Sequence, residues 1–240
     1  LCAQTPDIEQ IGLTTNGFNL EKNIDSWVKS GLTNLNVSAD SLDPRLFKTI
    51  TGHQKLESIM RGVDRAIALG VKKVKLNAVL LKSFNFDNYI QWIQDKDVTV
   101  RFIELMETGD NAEFFKENHV SGEQMKQSLL DRGWTQVIRG KLDGPAQEFC
   151  HPESKGRIGL IMPYSKDFCA SCNRLRVSSK GQLHLCLFVE NGIDLRGALK
   201  AQDQEKTIET LLAVMSDKLV SHELSEHLTG ATTNLAMLGG

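Results

Sequence analysis

Strand-like and helix-like stretches alternate through the first half of the chain, and this alternation restricts the fold more than any other feature. "IEQIGLTT" (8–15) reads as a strand stopped by the Asn16-Gly17 turn signal. "LEKNIDSWVKS" (20–30) has helical period, and Gly31 suits the position after its end. The order then repeats: strand "LTNLNVS" (32–38), helix "KLESIMRGVDRAIAL" (55–69) followed by Gly70, strand "VKKVKLNAVLL" (71–81), helix "NYIQWIQ" (88–94) and strand "VTVRFIELM" (98–106). Such alternation builds βαβ units on a parallel sheet. Strands of that kind are expected to be buried on both faces and mostly apolar. An open doubly wound sheet and part of a (β/α) barrel fit the periodicity equally well.

In both architectures ligands bind at the C-terminal ends of the strands. Polar or ligand-capable residues stand there: Thr14, Thr15 and Asn16, then Ser38 and Asp40, then Glu104 and Met106. Each alone reads equally well as a cap or turn former.

The second half changes character. Ser121 and Gln124 resemble a capping box opening the helix "EQMKQSLLDR". "DGPAQ" (143–147) reads as a loop, and "GRIGLIM" (156–162), "RLRVSS" (174–179) and "QLHLCLF" (182–188) as short strands, the last two turned by Lys180-Gly181. "IETLLAVMSDKLV" (208–220) is an amphipathic helix. A soft boundary falls near 108–120.

Three of the five cysteines, Cys169, Cys172 and Cys186, lie in one short stretch. An odd count without an export signal argues against a disulfide framework and for metal binding or burial. Cys169-x2-Cys172 puts two thiols on one turn, and Cys186 can fold back from the hairpin. Soft thiolates select zinc or iron–sulfur clusters. A closed zinc site needs a fourth ligand, for which His184, Cys150 and His151 are candidates. A cubane held by three cysteines instead leaves one iron open to substrate. Arg174 and Arg176 alternate behind the CxxC and suit phosphate oxygens, although a solvated strand face explains them too. The net charge of −2 argues against a general nucleic-acid surface, and no apolar run reaches membrane-spanning length.

"TTNG", "NVSADSLD", "KVKLNAV", "RFIELMETGDN", "GLIMP", "DFCASCNRLRVSSKGQLHLCLF" and the terminal "GG" together resemble the GTP 3′,8-cyclase family, the radical S-adenosylmethionine (SAM) enzymes of molybdenum cofactor biosynthesis. The resemblance runs nearly end to end. It implies an α/β fold, a partial (β/α)6 TIM-like barrel with a C-terminal α+β region carrying a cluster site. Residues 1–115 would be the C-terminal part of the barrel, and 116–240 the cluster and GTP-binding region. It implies a lyase that cyclises GTP to 3′,8-cyclo-7,8-dihydro-GTP through a 5′-deoxyadenosyl radical, as the first step of molybdopterin synthesis.

The same resemblance makes Cys169, Cys172 and Cys186 the ligands of a substrate-binding [4Fe–4S] cluster. Arg174, Leu175, Arg176, Thr14 and Lys75 become GTP contacts, and Ser38 and Met106 SAM contacts. Arg101 becomes a barrel arginine that positions substrate. The Gly239-Gly240 tail would reach in beside the substrate, where residues without side chains avoid a clash. GTP, an electron donor and the downstream cyclic pyranopterin monophosphate synthase are the expected partners, with a homodimer left open. The expected location is the cytoplasm. The family's Cys-x3-Cys-x2-Cys and Gly-Gly-Glu-Pro segments are absent, and Cys2 stands alone. The expectation is therefore an N-terminally truncated barrel, a fragment inactive alone, with the second, SAM-cleaving [4Fe–4S] cluster confined to the full-length parent. The alternative is a zinc-stabilised nucleotide-binding module without catalysis.

Overall fold

A computed structural model of the chain describes residues 2–215 apart from 139, 141–143, 166, 167, 170, 171, 173 and 188–191. After a short 3-10 turn at Cys2–Gln4, the elements run β1 (Gly12–Thr15), α1 (Leu20–Lys29), β2 (Asn34–Ser38), α2 (Pro44–Thr51), α3 (Leu56–Ala68), β3 (Lys73–Leu80), α4 (Phe86–Ile93) and β4 (Thr99–Glu104). They continue with α5 (Ala112–Asn118), α6 (Gly122–Asp131), β5 (Thr135–Gln136), β6 (Gln147–Cys150) and β7 (Arg157–Ile161). The last are β8 (Arg176–Val177), β9 (Gln182–His184), β10 (Ile193–Asp194), α7 (Arg196–Ala201) and α8 (Gln204–Met215). They fall into two compact units: Leu1–Glu104 with Val120–Met162, and Leu105–His119 with Pro163–Gly240.

The first unit is built on a seven-stranded sheet of order β1-β2-β3-β4-β7-β6-β5. β1 to β4 and β7 are parallel, and β6 and β5 complete it antiparallel. This is a mixed α/β fold with a mostly parallel central sheet. Gly31 and Gly70, following α1 and α3, take φ of 99° and 75°, the left-handed conformation that ends a helix most cheaply in glycine.

The sheet differs from the expectation of strands apolar on both sides. Along β2 and β3 burial alternates strictly. One face carries Leu35, Val37, Val74, Leu76, Val100 and Phe102, part of the core that also holds Leu20, Ile24, Ile59, Val63 and Ile93 from α1, α3 and α4. Phe102 sits among Phe84, Tyr89 and Phe86, with ring centroids at 4.8, 5.3 and 5.4 Å. The opposite face is polar. A parallel sheet can afford that only where the face meets water or a ligand.

Two expected details are corrected. Ser121 stands at the N-cap of α6, but its side chain makes no capping hydrogen bond, so the capping box does not form. The buried Glu104 carboxylate lies against the first turn, since a Cβ built on Gly122 would meet its Oε2 at 3.1 Å. A carboxylate there is favoured by the helix dipole. Gln147, read as loop, begins β6. α2 went unread although Asp43 caps it, accepting from the backbone N–H of Arg45 and Leu46 at 2.8 Å each, with Pro44 at its first position.

The second unit has a small antiparallel sheet of order β10-β9-β8. Leu183, Leu185 and Leu195 form its core, with Ile193, Leu211 and Val214 packed on them. α8 occupies the start of the expected 208–220 helix, and residues 216–220 lie outside the described ones. No helix among the described residues is long and apolar enough to cross a membrane.

Candidate functional site

The register of the large sheet sets its polar side chains in rows. Thr14, Asn36, Lys75 and Thr99 are paired across β1 to β4, and Ser38, Asn77, Arg101 and Gly159 across β2, β3, β4 and β7. Residues directly opposite on neighbouring strands project to the same side. The sheet thus brings Thr14, Ser38, Lys75 and Arg101 onto one face.

Arg101 lies deepest, 9% exposed. Its Nε donates to Asn77 Oδ1 and its Nη2 to Asn36 Oδ1, both at 2.8 Å. Asn36 Nδ2 in turn donates to Thr14 Oγ1 at 3.1 Å. Gly159 leaves room for the arginine stem: a Cβ there would lie 3.0 Å from Arg101 Cγ.

Lys75 Nζ donates to Glu148 Oε1 at 3.4 Å, and Arg157 Nη1 lies 3.5 Å from Glu148 Oε2. Burial lowers the Lys75 pKa from the usual lysine range, the Arg101 charge lowers it further, and Glu148 partly opposes both. Lys72, Lys73, Lys75, Thr99, Glu148 and Arg157 line a cavity of about 340 Å³. It sits toward the N-terminal ends of β3, β4 and β7, so the polar face extends well below the strand ends where ligands were expected.

At those ends several candidates serve the backbone. Thr15 Oγ1 accepts from Gly17 N–H and Asn16 Oδ1 from Phe18 N–H, both at 3.1 Å. Asp40 Oδ1 accepts from Val79 N–H at 2.9 Å, and burial raises its pKa. Ser38 closes β2 on the polar face. Met106 belongs to the second unit, where its carbonyl accepts from Asn111 Nδ2 at 3.0 Å. The same asparagine accepts from Thr108 N–H at 2.8 Å, and Tyr164 Oη accepts from Glu107 N–H at 3.0 Å, which holds the 106–111 loop.

Cys169, Cys172 and Cys186 belong to the second unit and form no disulfide. Cys172 N–H donates to Cys169 O at 3.0 Å, so the CxxC forms one turn. β8 and β9 form the expected hairpin, with Arg176 opposite His184 and a turn closed by Gly181 N–H to Ser178 O at 2.9 Å. Cys172 precedes β8 and Cys186 follows β9, so both stand at its open end. The strands are shorter than expected, and Arg174 and Leu175 lie just outside β8. Desolvation and the neighbouring Arg176 charge lower the Arg174 pKa, with Cys172 opposing. Both ring nitrogens of His184 are buried and find no hydrogen-bond partner among the described residues. Among the described residues no three His, Cys, Asp or Glu side chains converge as a metal cage. Gly239 and Gly240 lie outside the described residues.

Asn36, Asn77, Glu148 and Arg157 are the site residues that sequence reasoning missed. The alternation of "NLNVS" and "KVKLNAV" carried the signal for the two asparagines.

Residues 2–95 match the radical SAM superfamily, and residues 98–224 match the Molybdenum Cofactor Synthesis C family. GTP 3′,8-cyclase of Aeromonas hydrophila subsp. hydrophila is 52% identical over 242 aligned residues, covering 99% of this chain and 71% of that protein. The chain therefore belongs to the radical SAM enzymes of molybdenum cofactor synthesis, in the family that includes GTP 3′,8-cyclase.

Proposed function

We propose that the chain binds GTP for its cyclisation to 3′,8-cyclo-7,8-dihydro-GTP, the step that begins molybdopterin synthesis. The observation that carries this is the polar sheet face, where Thr14, Lys75 and Arg101 converge in a chain 52% identical to a GTP 3′,8-cyclase. Lys75 and Arg101 supply fixed positive charge for phosphate oxygens, and Thr14 supplies a hydroxyl. A phosphate beside Lys75 would offset its desolvation and hold it protonated. In the second unit Arg174, Leu175 and Arg176 are proposed as nucleotide contacts and Met106 as a SAM contact; in the first, Ser38 is proposed as a SAM contact. Arg101 is proposed to position the substrate, and the same role is proposed for Gly239 and Gly240, which lie outside the described residues. GTP, an external electron donor and a downstream pyranopterin-forming enzyme are the partners of this chemistry.

Radical SAM enzymes work through a [4Fe–4S] cluster and SAM. The donor chemistry here fits a cluster, because three cysteines outside any disulfide, two of them joined by a backbone hydrogen bond, form a soft donor set. Cys169, Cys172 and Cys186 would hold it, and a cubane on three cysteines offers an open iron for a substrate atom. The five cysteines provide no Cys-x3-Cys-x2-Cys spacing, so the SAM-cleaving cluster is not assigned to these residues.

A second reading has its own observation. The His184 ring, buried without a hydrogen-bond partner among the described residues and two residues before Cys186, would complete a Cys₃His zinc site. The chain would then be a zinc-stabilised nucleotide module without catalysis.

Equilibrium dialysis of the anaerobically reconstituted chain tests the first reading. GTP should bind in preference to ATP, and Lys75→Ala and Arg176→Ala should each weaken it about tenfold or more, the scale of a lost charge-assisted hydrogen bond. Equal affinity for GTP and ATP, or variants that bind as wild type does, would overturn it.

A further inference from the structure

We propose that Asn36 and Asn77 are positioning residues that hold the Arg101 guanidinium and polarise Thr14 toward the ligand. The inference rests on the reading above that Arg101 and Thr14 face GTP.

An arginine has donors only, so the amide oxygens of both asparagines must face it. Asn77 accepts from Nε and Asn36 from Nη2, each at 2.8 Å, which fixes the plane of the guanidinium from two sides. The amide orientation of Asn36 then follows: its Nδ2 is turned to Thr14 Oγ1 at 3.1 Å. Thr14, accepting there, keeps its own hydroxyl proton to donate elsewhere. Within the row Thr14–Asn36–Arg101–Asn77 the two amide oxygens and Thr14 Oγ1 are thus engaged by neighbouring donors, and the Thr14 hydroxyl keeps a proton for an acceptor such as a phosphate or ribose oxygen. The acceptors are also neutral. A carboxylate in either place would neutralise the cation, whereas an amide orients it without adding negative charge. Gly159, directly opposite Arg101, lets the stem lie flat enough to reach both partners.

The test is a double-mutant cycle on GTP affinity, using the full chain reconstituted without oxygen. Arg101→Ala should weaken GTP binding at least tenfold. Asn77→Ala should weaken it about tenfold in the wild-type background and less than about twofold once Arg101 is alanine, because residues acting through one another are non-additive. A purely structural asparagine would cost the same in both backgrounds. Should Asn77→Ala fail to fold, Asn77→Ser keeps a small polar group and enters the same cycle. Additive losses, or an Asn77 variant that binds GTP as wild type does while Arg101→Ala is impaired, would overturn the positioning role alone. Unchanged GTP affinity in Arg101→Ala would overturn the placement of GTP at Arg101, and the positioning role with it.

Discussion

In the proposed GTP site, the charge state of Lys75 governs how the polar face would meet an anion. Burial and the Arg101 charge both lower its pKa, and Glu148 is the group that raises it. Lysine is lost as a cation when pH rises through its folded pKa, so GTP affinity is expected to fall with rising pH there. In Glu148→Gln the opposing carboxylate is gone and the Lys75 pKa drops further. The fall in GTP affinity should then begin at lower pH than in wild type, read by dialysis across a pH series. A fall that stays in place or moves to higher pH would show that Glu148 does not sustain the Lys75 charge. Lys75, Arg101 and Thr14 were legible as polar residues on strands. Their mutual arrangement was not, because Arg101 meets Asn77 and Asn36 across 24 and 65 residues of sequence. Only the strand register makes them neighbours, and register follows from packing rather than from local pattern.

At the scale of elements, the long amphipathic helices and central strands are nearly where the sequence periodicity puts them. The short pieces β5, β6 and β10 have too few residues to show a period, whereas β8 and β9 were legible as a hairpin through the Lys180-Gly181 turn. α2 carried a readable Asp43 cap, Pro44 and Gly52, yet its eight residues fell between two stronger signals. The α1–α3 pair shows an element contact that no propensity scale reveals. Arg61 pairs with Glu21 at 2.7 Å across it, and Gly62 lies at the close approach. A Cβ on Gly62 would meet Leu20 Cγ at 2.7 Å and the backbone nitrogen of Glu21 at 2.9 Å. Gly62→Ala should thus destabilise the fold by about 1–3 kcal/mol, the usual cost of overpacking, despite alanine's higher helix propensity. Urea denaturation measures this, and a stabilised variant would show that the helices separate freely.

For the whole molecule, the large sheet of one unit carries the polar face proposed for the nucleotide, and the hairpin of the other lies in the unit that holds the three cysteines. Spacing pointed to Cys169, Cys172 and Cys186 as candidate ligands and to His184 as a possible fourth, and no such cluster converges among the described residues. Which of the two chemistries the thiols serve depends on donor atoms that no strand period encodes. The measurement that tests the account most directly is iron, zinc and acid-labile sulfide per chain after purification and reconstitution without oxygen. About four irons and four sulfides, lost in Cys172→Ala, is the predicted result for a cubane on three cysteines. One zinc without sulfide, lost instead in His184→Ala, would contradict it and leave a zinc-held nucleotide module.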